Sequence, residues 1–197
     1  MNEKFFIYKS SYLKNEKPDL SFVPMMARRK LSTIARIAFA LLNDSYDDED
    51  VNLVFASQFG EFDRLEALIA QYTSENEVSP VSFGSSVHNA SIGAFSLFKG
   101  IKNKYNAVSA GVNSLSNGFF EAVMEDEKTL FCYADTLPEL RGAACLTGKV
   151  PEEGADEIEL IPEKNDCLDD EFGRFVSFLK KESDEFISPV YTLRRLK

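Results

Sequence analysis

The stretch Asn106 to Ala122, NAVSAGVNSLSNGFFEA, constrains the fold of this 197-residue chain more than any other. A short run ending in a β-branched residue enters a tight turn of small residues and leaves as a helix, with Gly111 at the apex of the turn. Strand, tight turn and helix in that order form an elbow, a backbone device that lifts the apex side chain out of a packed sheet toward a substrate. Glycine has no side chain to lift. The shape therefore predicts an α/β layer, and the apex residue argues against covalent chemistry starting there.

The rest of the chain alternates in the same way. Strands are expected over Phe5 to Leu13, Val51 to Ser57, Tyr105 to Ala110, Thr129 to Ala134, Gly142 to Val150 and Glu157 to Ile161, the last as a partner for either of the two before it. Helical spacing of apolar residues runs over Met25 to Asn43, Phe62 to Tyr72, Ser91 to Lys102, Ser114 to Glu125 and Glu171 to Lys181. Strands alternating with helices imply mainly parallel pairing in a central sheet flanked by helices.

Composition narrows the function classes. With 32 acidic against 22 basic residues the net charge is -10, which disfavours nucleic acid and anionic membranes, since both need a concentrated positive field. Arg28, Arg29 and Lys30 form the one dense basic cluster in the first half, while Asp44 to Asp50, Glu152 to Glu159 and Asp166 to Glu171 read as solvated acidic loops. The three cysteines, Cys132, Cys145 and Cys167, have no metal-ligand spacing and suit reduced thiols in the cytosol. No run approaches the ~20 apolar residues of a membrane span, so a cytoplasmic protein is expected. His88 is the only histidine and has no companion ligands, and the glycines match no phosphate-binding or dinucleotide spacing, so neither metal nor cofactor is expected.

Four segments in order, MMARRKLSTIARIAFALL from Met25, FASQFGEFDR from Phe55, SPVSFGSSVHNASIG from Ser79, and the elbow, resemble the N-terminal half of β-ketoacyl synthases. The resemblance is closest to the truncated, chain-length-factor-like branch found in polyketide and aryl polyene systems. It implies a thiolase-like half-fold over 1–197 as a single domain, with 166–197 as a C-terminal helix and tail. It also implies that elbow strands meet across a dyad between paired subunits, and a half-fold would expose an apolar face of its sheet or helix layer for a partner.

In that family a cysteine occupies the elbow in a pattern close to T-A-C-S-S-S-L. Here the matching residues are Ser109, Ala110, Gly111, Val112, Asn113, Ser114 and Leu115, so the nucleophile position falls on Gly111. The family's two catalytic histidines come from a C-terminal half with no counterpart in this sequence. The resemblance thus implies a non-catalytic subunit that pairs with a full-length ketoacyl synthase and shapes its acyl tunnel. An acyl carrier protein would be engaged only indirectly, through the synthase. Ser109, Ala110, Asn113 and Ser114 would form elbow and interface, and Phe83, Ser86, His88 and Asn89 a tunnel or interface loop.

Two readings of His88 stand, a polar contact at that interface or a histidine satisfied by neighbouring backbone carbonyls. Glu61 and Asp63, at the start of a helix, read as caps that serve its free N–H groups and dipole, with Arg64 as an ion-pair partner. Two other functions remain open. One is an autonomous acyl-thioester enzyme using Ser109 or Cys132, although Cys132 lies in an apolar strand where thiols are inert. The other is a homo-oligomeric scaffold of the same fold, a homodimer being possible in isolation.

Overall fold

A computed structural model describes residues 2–47, 50–166 and 169–196. Cys167 and part of the first and third acidic runs lie outside the described residues. The strands are β1 (Glu3–Lys14), β2 (Asn52–Ala56), β3 (Tyr105–Val108), β4 (Thr129–Asp135), β5 (Arg141–Gly148), β6 (Asp156–Pro162), β7 (Glu185–Ile187) and β8 (Tyr191–Arg195). The helices are α1 (Met25–Arg28), α2 (Thr33–Ser45), α3 (Phe62–Glu75), α4 (Pro80–Gly84), α5 (Ala90–Lys99), α6 (Ser114–Met124) and α7 (Glu171–Leu179). All the strands join one sheet in the order β3-β2-β4-β5-β1-β6-β8-β7.

Side-chain alternation along the strands divides the core in two. On β4, Leu130, Cys132 and Ala134 face α2 and α5, where they pack with Ile37, Leu41, Ile92 and Phe95. Phe131 and Tyr133 point the other way, toward α6 and α7, into a cluster with Phe119, Phe172 and Phe175. Phe119 sits edge-on to Phe5, Phe131 and Phe175 with ring centroids 5.1–5.8 Å apart, the arrangement favoured by the opposed charge of ring faces and edges. A Cβ on Gly118 would lie 2.4 Å from the Ala56 Cβ. A glycine inside α6 is therefore what allows that helix to lie so close to β2.

The α/β class holds, with helices on both faces of one sheet. The expectation of mainly parallel pairing does not. Only β2–β3 and β2–β4 are parallel, and the other pairings are antiparallel. For β4–β5 and β7–β8 the cause is linker length. Residues 136–140 between β4 and β5 and 188–190 between β7 and β8 can only turn the chain back, because a parallel return needs a crossover of a dozen residues or more. β6 pairs with β1 and β8 and not with either strand before it.

The long first helix is divided. Ser32 caps α2 by accepting a hydrogen bond from Ala35 N at 3.1 Å, so α1 is a separate short turn. Pro80–Gly84, expected as loop, forms α4, capped by Ser79 and begun by a proline whose missing N–H costs nothing at that position. Residues 169–196 are more than a helix and tail. β8 extends the main sheet through β6, and Tyr191 Oη donates to Ser116 O at 2.8 Å. The alternation in YTLRR is too short to register beside the charged residues around it.

With α7 and β8 in place both sheet faces are covered, and exposed apolar residues gather on the helix layer instead. Phe62, Leu65, Ile69 and Tyr72 form a solvent-facing stripe on α3, joined by Val81 at 82% and Leu97 at 86% exposure. Replacing Phe175 with alanine should destabilise the chain by about 3–5 kcal/mol in urea titration, as for a large buried ring. A change within about 0.5 kcal/mol would return α7 to the status of a tail.

Candidate functional site

The elbow is built as the sequence implies. β3 ends at Val108, the chain turns through Ser109–Asn113, and α6 starts at Ser114. Ser114 holds the turn: its Oγ donates to Gly111 O at 2.7 Å and accepts from Ala110 N at 3.0 Å. Asn113 N donates to Ala110 O at 3.2 Å, and Asn117 Nδ2 donates to Asn113 O at 2.8 Å. Gly111 has φ +59° and nothing within 4 Å of where a Cβ would stand. The apex is thus in the left-handed region, open to solvent and without a nucleophile. Val112 beside it is 73% exposed.

β3 is the edge of the sheet at this end, and its outer side carries no strand. A groove of about 750 Å³ runs between it and α6, lined by Ala110, Phe120 and Met124 and by Glu121, Glu125, Asp126 and Glu127 opposite Lys104. Exposed edge backbone, an open elbow and partly exposed apolar side chains therefore share one surface.

His88 connects the 83–89 loop to this strand. Its Nε2 lies 3.2 Å from Val108 O, and its ring is 6.1 Å from that of Phe55. On the far side its Nδ1 would be 2.5 Å from a Cβ on Gly60. The backbone-carbonyl reading of His88 matches this geometry, and no hydrogen bond joins it to Ser109 among the described residues. Ser86 Oγ donates to Phe83 O at 2.9 Å within its own turn. Phe83 is turned to solvent, and Asn89 is exposed at the cap position before α5, with no side-chain cap bond. The structure therefore brings His88 and Asn89 against β3, where they share a cleft with Asn106, and leaves Phe83 apart.

Two buried carboxylates matter that sequence reasoning missed or misread. Asp135, fully buried at the end of β4, accepts from Ser57 Oγ at 2.6 Å, Tyr133 Oη at 2.6 Å, and Gln58 N and Phe59 N at 3.1 Å. It fixes the loop after β2. Burial first, and Asp135 second, push the Tyr133 phenol upward, so it stays a donor. The available signal was an acidic residue closing the apolar run TLFCYA.

Glu61, 5% exposed, occupies the cap position of α3, but its side chain makes no cap bond. Its Oε1 accepts from Ser91 Oγ at 2.7 Å and Ser32 Oγ at 2.9 Å, and its Oε2 is 3.6 Å from Arg64 Nε. Arg64 in turn donates to Ser85 O and Lys30 O. This cluster ties α2, α3, α5 and the turn after α4 together, which explains Ser91 on α5.

The remaining nucleophile candidate is enclosed. Cys132 and Cys145 are fully buried, and burial pushes both thiols far above their ordinary range. The two lie on opposite faces of the sheet, in separate core clusters.

Residues 8–139 match the family model described as "Beta-ketoacyl synthase, N-terminal domain". No curated protein matches at a significant level. Among solved structures, the chain is similar to one in the complex of the ketosynthase ApeO with its chain length factor ApeC from Xenorhabdus doucetiae. That match has TM-score 0.77 and 18% identity, over 99% of this chain and 100% of that one. It is also similar to the ishigamide ketosynthase/chain length factor, with TM-score 0.62 and 13% identity over 91% of this chain and 72% of that chain. A β-ketoacyl synthase from Burkholderia phymatum matches with TM-score 0.56 and 14% identity, over 75% of this chain and half of its own length. The shared thiolase-like fold is what these likenesses show.

If Cys132 is as enclosed as its surroundings require, a Cys167→Ser variant should show no thiol reacting with a chromogenic disulfide at pH 8 until urea unfolds it. One rapidly reacting equivalent in the native state would restore Cys132 or Cys145 as a candidate nucleophile.

Proposed function

The chain belongs to the β-ketoacyl synthase N-terminal domain family, and from that premise we propose that it is a non-catalytic, chain-length-factor-like subunit that pairs with a full-length ketoacyl synthase. The observation that carries the reading is the elbow: its backbone is kept, its apex is Gly111, and it stands exposed beside an unpaired sheet edge. Acyl transfer through a covalent intermediate needs an activated thiol or hydroxyl. Ser114 is bonded within the turn, His88 is bonded to Val108 O, and Cys132 is buried, all of which weigh against the autonomous enzyme.

In this reading the synthase supplies the cysteine and performs the condensation. Ser109, Ala110, Asn113 and Ser114 sit at the contact around the spacer Gly111. Ser86, His88 and Asn89, with Phe83 at the margin, border the far end of the acyl tunnel in a fatty-acid or polyketide system of the aryl polyene kind. The ApeO/ApeC assembly supports a synthase as partner, since the matched chain there is covered end to end. Apolar residues at the centre of an interface supply affinity, while charge sets orientation and encounter rate. Phe120, Met124 and Val112 suit the first role, and the acidic groove the second, calling for a basic margin on the synthase. The carrier protein, itself acidic, docks on the synthase. The chain acts as one domain, in the cytoplasm.

Co-expression with the ketoacyl synthase encoded beside it should yield a stoichiometric heterodimer by size exclusion with mass determination. Condensation should vanish on mutating the synthase cysteine alone. A homodimer or monomer that ignores the synthase would sink the reading and leave the scaffold. Gly111→Phe should cost roughly 1–2 kcal/mol of backbone strain at its positive φ. It should also weaken pairing or shorten the products; unchanged pairing and product length would remove Gly111 from the contact.

A further inference from the structure

A cavity of about 330 Å³ opens on the inner side of the elbow, bordering at Val112 and Asn113 the contact proposed above. Its wall combines Asn113 of the elbow, Gln58 after β2, Tyr133 of β4, Arg141 of β5, and Glu171 and Arg174 of α7. Separate stretches of chain thus converge on one half-open space at the carboxyl ends of β2 and β4, where open α/β sheets characteristically take ligands.

Two observations mark it as a polar site. First, two guanidinium groups, Arg141 and Arg174, share the wall. Second, of the six buried side-chain polar atoms without a hydrogen-bond partner among the described residues, three belong to this wall: Arg141 Nε, Arg174 Nε and Glu171 Oε1. Buried donors and acceptors are paired in the great majority of folded proteins. Three unpartnered polar atoms thus belong to residues that line one cavity, and each would reach a bound group only after a small turn of its side chain.

The surroundings favour an anion. Arg141 stacks over the rings of Tyr133 and Phe172, with centroid distances of 5.8 and 5.7 Å, which fixes the plane of its fork. α6 begins at the elbow, and the amino end of a helix carries partial positive charge. Burial raises the carboxyl of Glu171, against the pull of Ser116 and the nearby arginines. The other acids on the wall are Asp169 and Asp170, both exposed, and Asp170 Oδ1 is taken by Gly173 N at 3.0 Å as the cap of α7. Arg174 donates one Nη1 bond to the Asp169 carbonyl and keeps its Nε free.

We propose that this cavity binds a small oxyanion, a carboxylate or phosphate group held between the guanidinium forks of Arg141 and Arg174, with Asn113 and Gln58 as neutral donors beside it. A planar fork with parallel N–H bonds matches both oxyanions bidentately, and chloride cannot reproduce that geometry.

The full chain, purified without a partner, is titrated calorimetrically with inorganic phosphate, acetate and chloride at matched ionic strength. The expected result is saturable binding of phosphate or acetate and none of chloride, the better of the two telling phosphoryl from carboxyl ligands. Arg174→Met should weaken that binding roughly tenfold or more, the value of a charged hydrogen bond, and Arg174→Lys should recover part of it. Arg174 is the variant of choice because Arg141 also packs on two rings, and circular dichroism and melting of each variant confirm that it is folded. Equal heats from chloride, absence of binding by both oxyanions, or an unchanged response in folded Arg174→Met would overturn the proposal. None of these outcomes bears on pairing with a synthase, which is measured separately.

Discussion

Strand β2 is buried on both faces along its whole length and hydrogen-bonded in parallel to a strand on each side, so the layout of this molecule depends on it. A strand so placed can be reached only by crossovers, which obliges the chain to run α3–α5 over one face before β3 and α6 over the other before β4. Its carboxyl end is where the backbone would be left unpaired, and Asp135 closes that gap by accepting from the Gln58 and Phe59 amides and the Ser57 hydroxyl. A buried carboxylate carries a heavy desolvation cost unless several donors share its charge. The elbow, the 83–89 loop and the Arg141/Arg174 cavity all hang from strand ends that this arrangement fixes.

What could be read from the sequence follows from which forces act locally. The elbow, its empty apex and the buried strands were legible because periodicity and small-residue turns are local signals. Pairing direction was not, since it depends on whether a linker crosses the sheet or merely turns, and the 136–140 link looks like any loop until its length is weighed. β7 and β8 were hidden for another reason: Phe186, Tyr191 and Leu193 become core residues only through α6 and α7. Glu61 misled because an acid at a helix start is usually a cap, whereas here Ser32 and Ser91, distant in sequence, draw it inward.

The placement of exposed apolar surface narrows the expectation for a half-fold to the helix layer. A sheet lacking its second half was expected to leave a bare sheet or helix-layer face. The aromatic cluster of Phe172, Phe175, Phe178, Phe186 and Tyr191 closes that side from within the chain itself. A stripe of the apolar residues left in solvent lies on α3, α4 and α5, on the helix layer beyond the other face. A protein built this way can hold its fold while offering the edge of β3 and the helix layer to a second subunit.

The elbow itself argues that shape and chemistry are separable here. Among the described residues, the hydrogen bonds that hold the turn involve backbone atoms, Ser114 or the Asn113–Asn117 pair, and none involves a side chain at position 111. A nucleophile at such an apex must adopt a conformation that L-residues resist, at roughly 1–2 kcal/mol, a strain repaid only if the side chain reacts. Glycine at φ +59° keeps the turn and removes that strain. The residue that offers no nucleophile at the elbow is thus the same one that makes its backbone most comfortable, so the surface the elbow presents does not depend on a side chain at position 111.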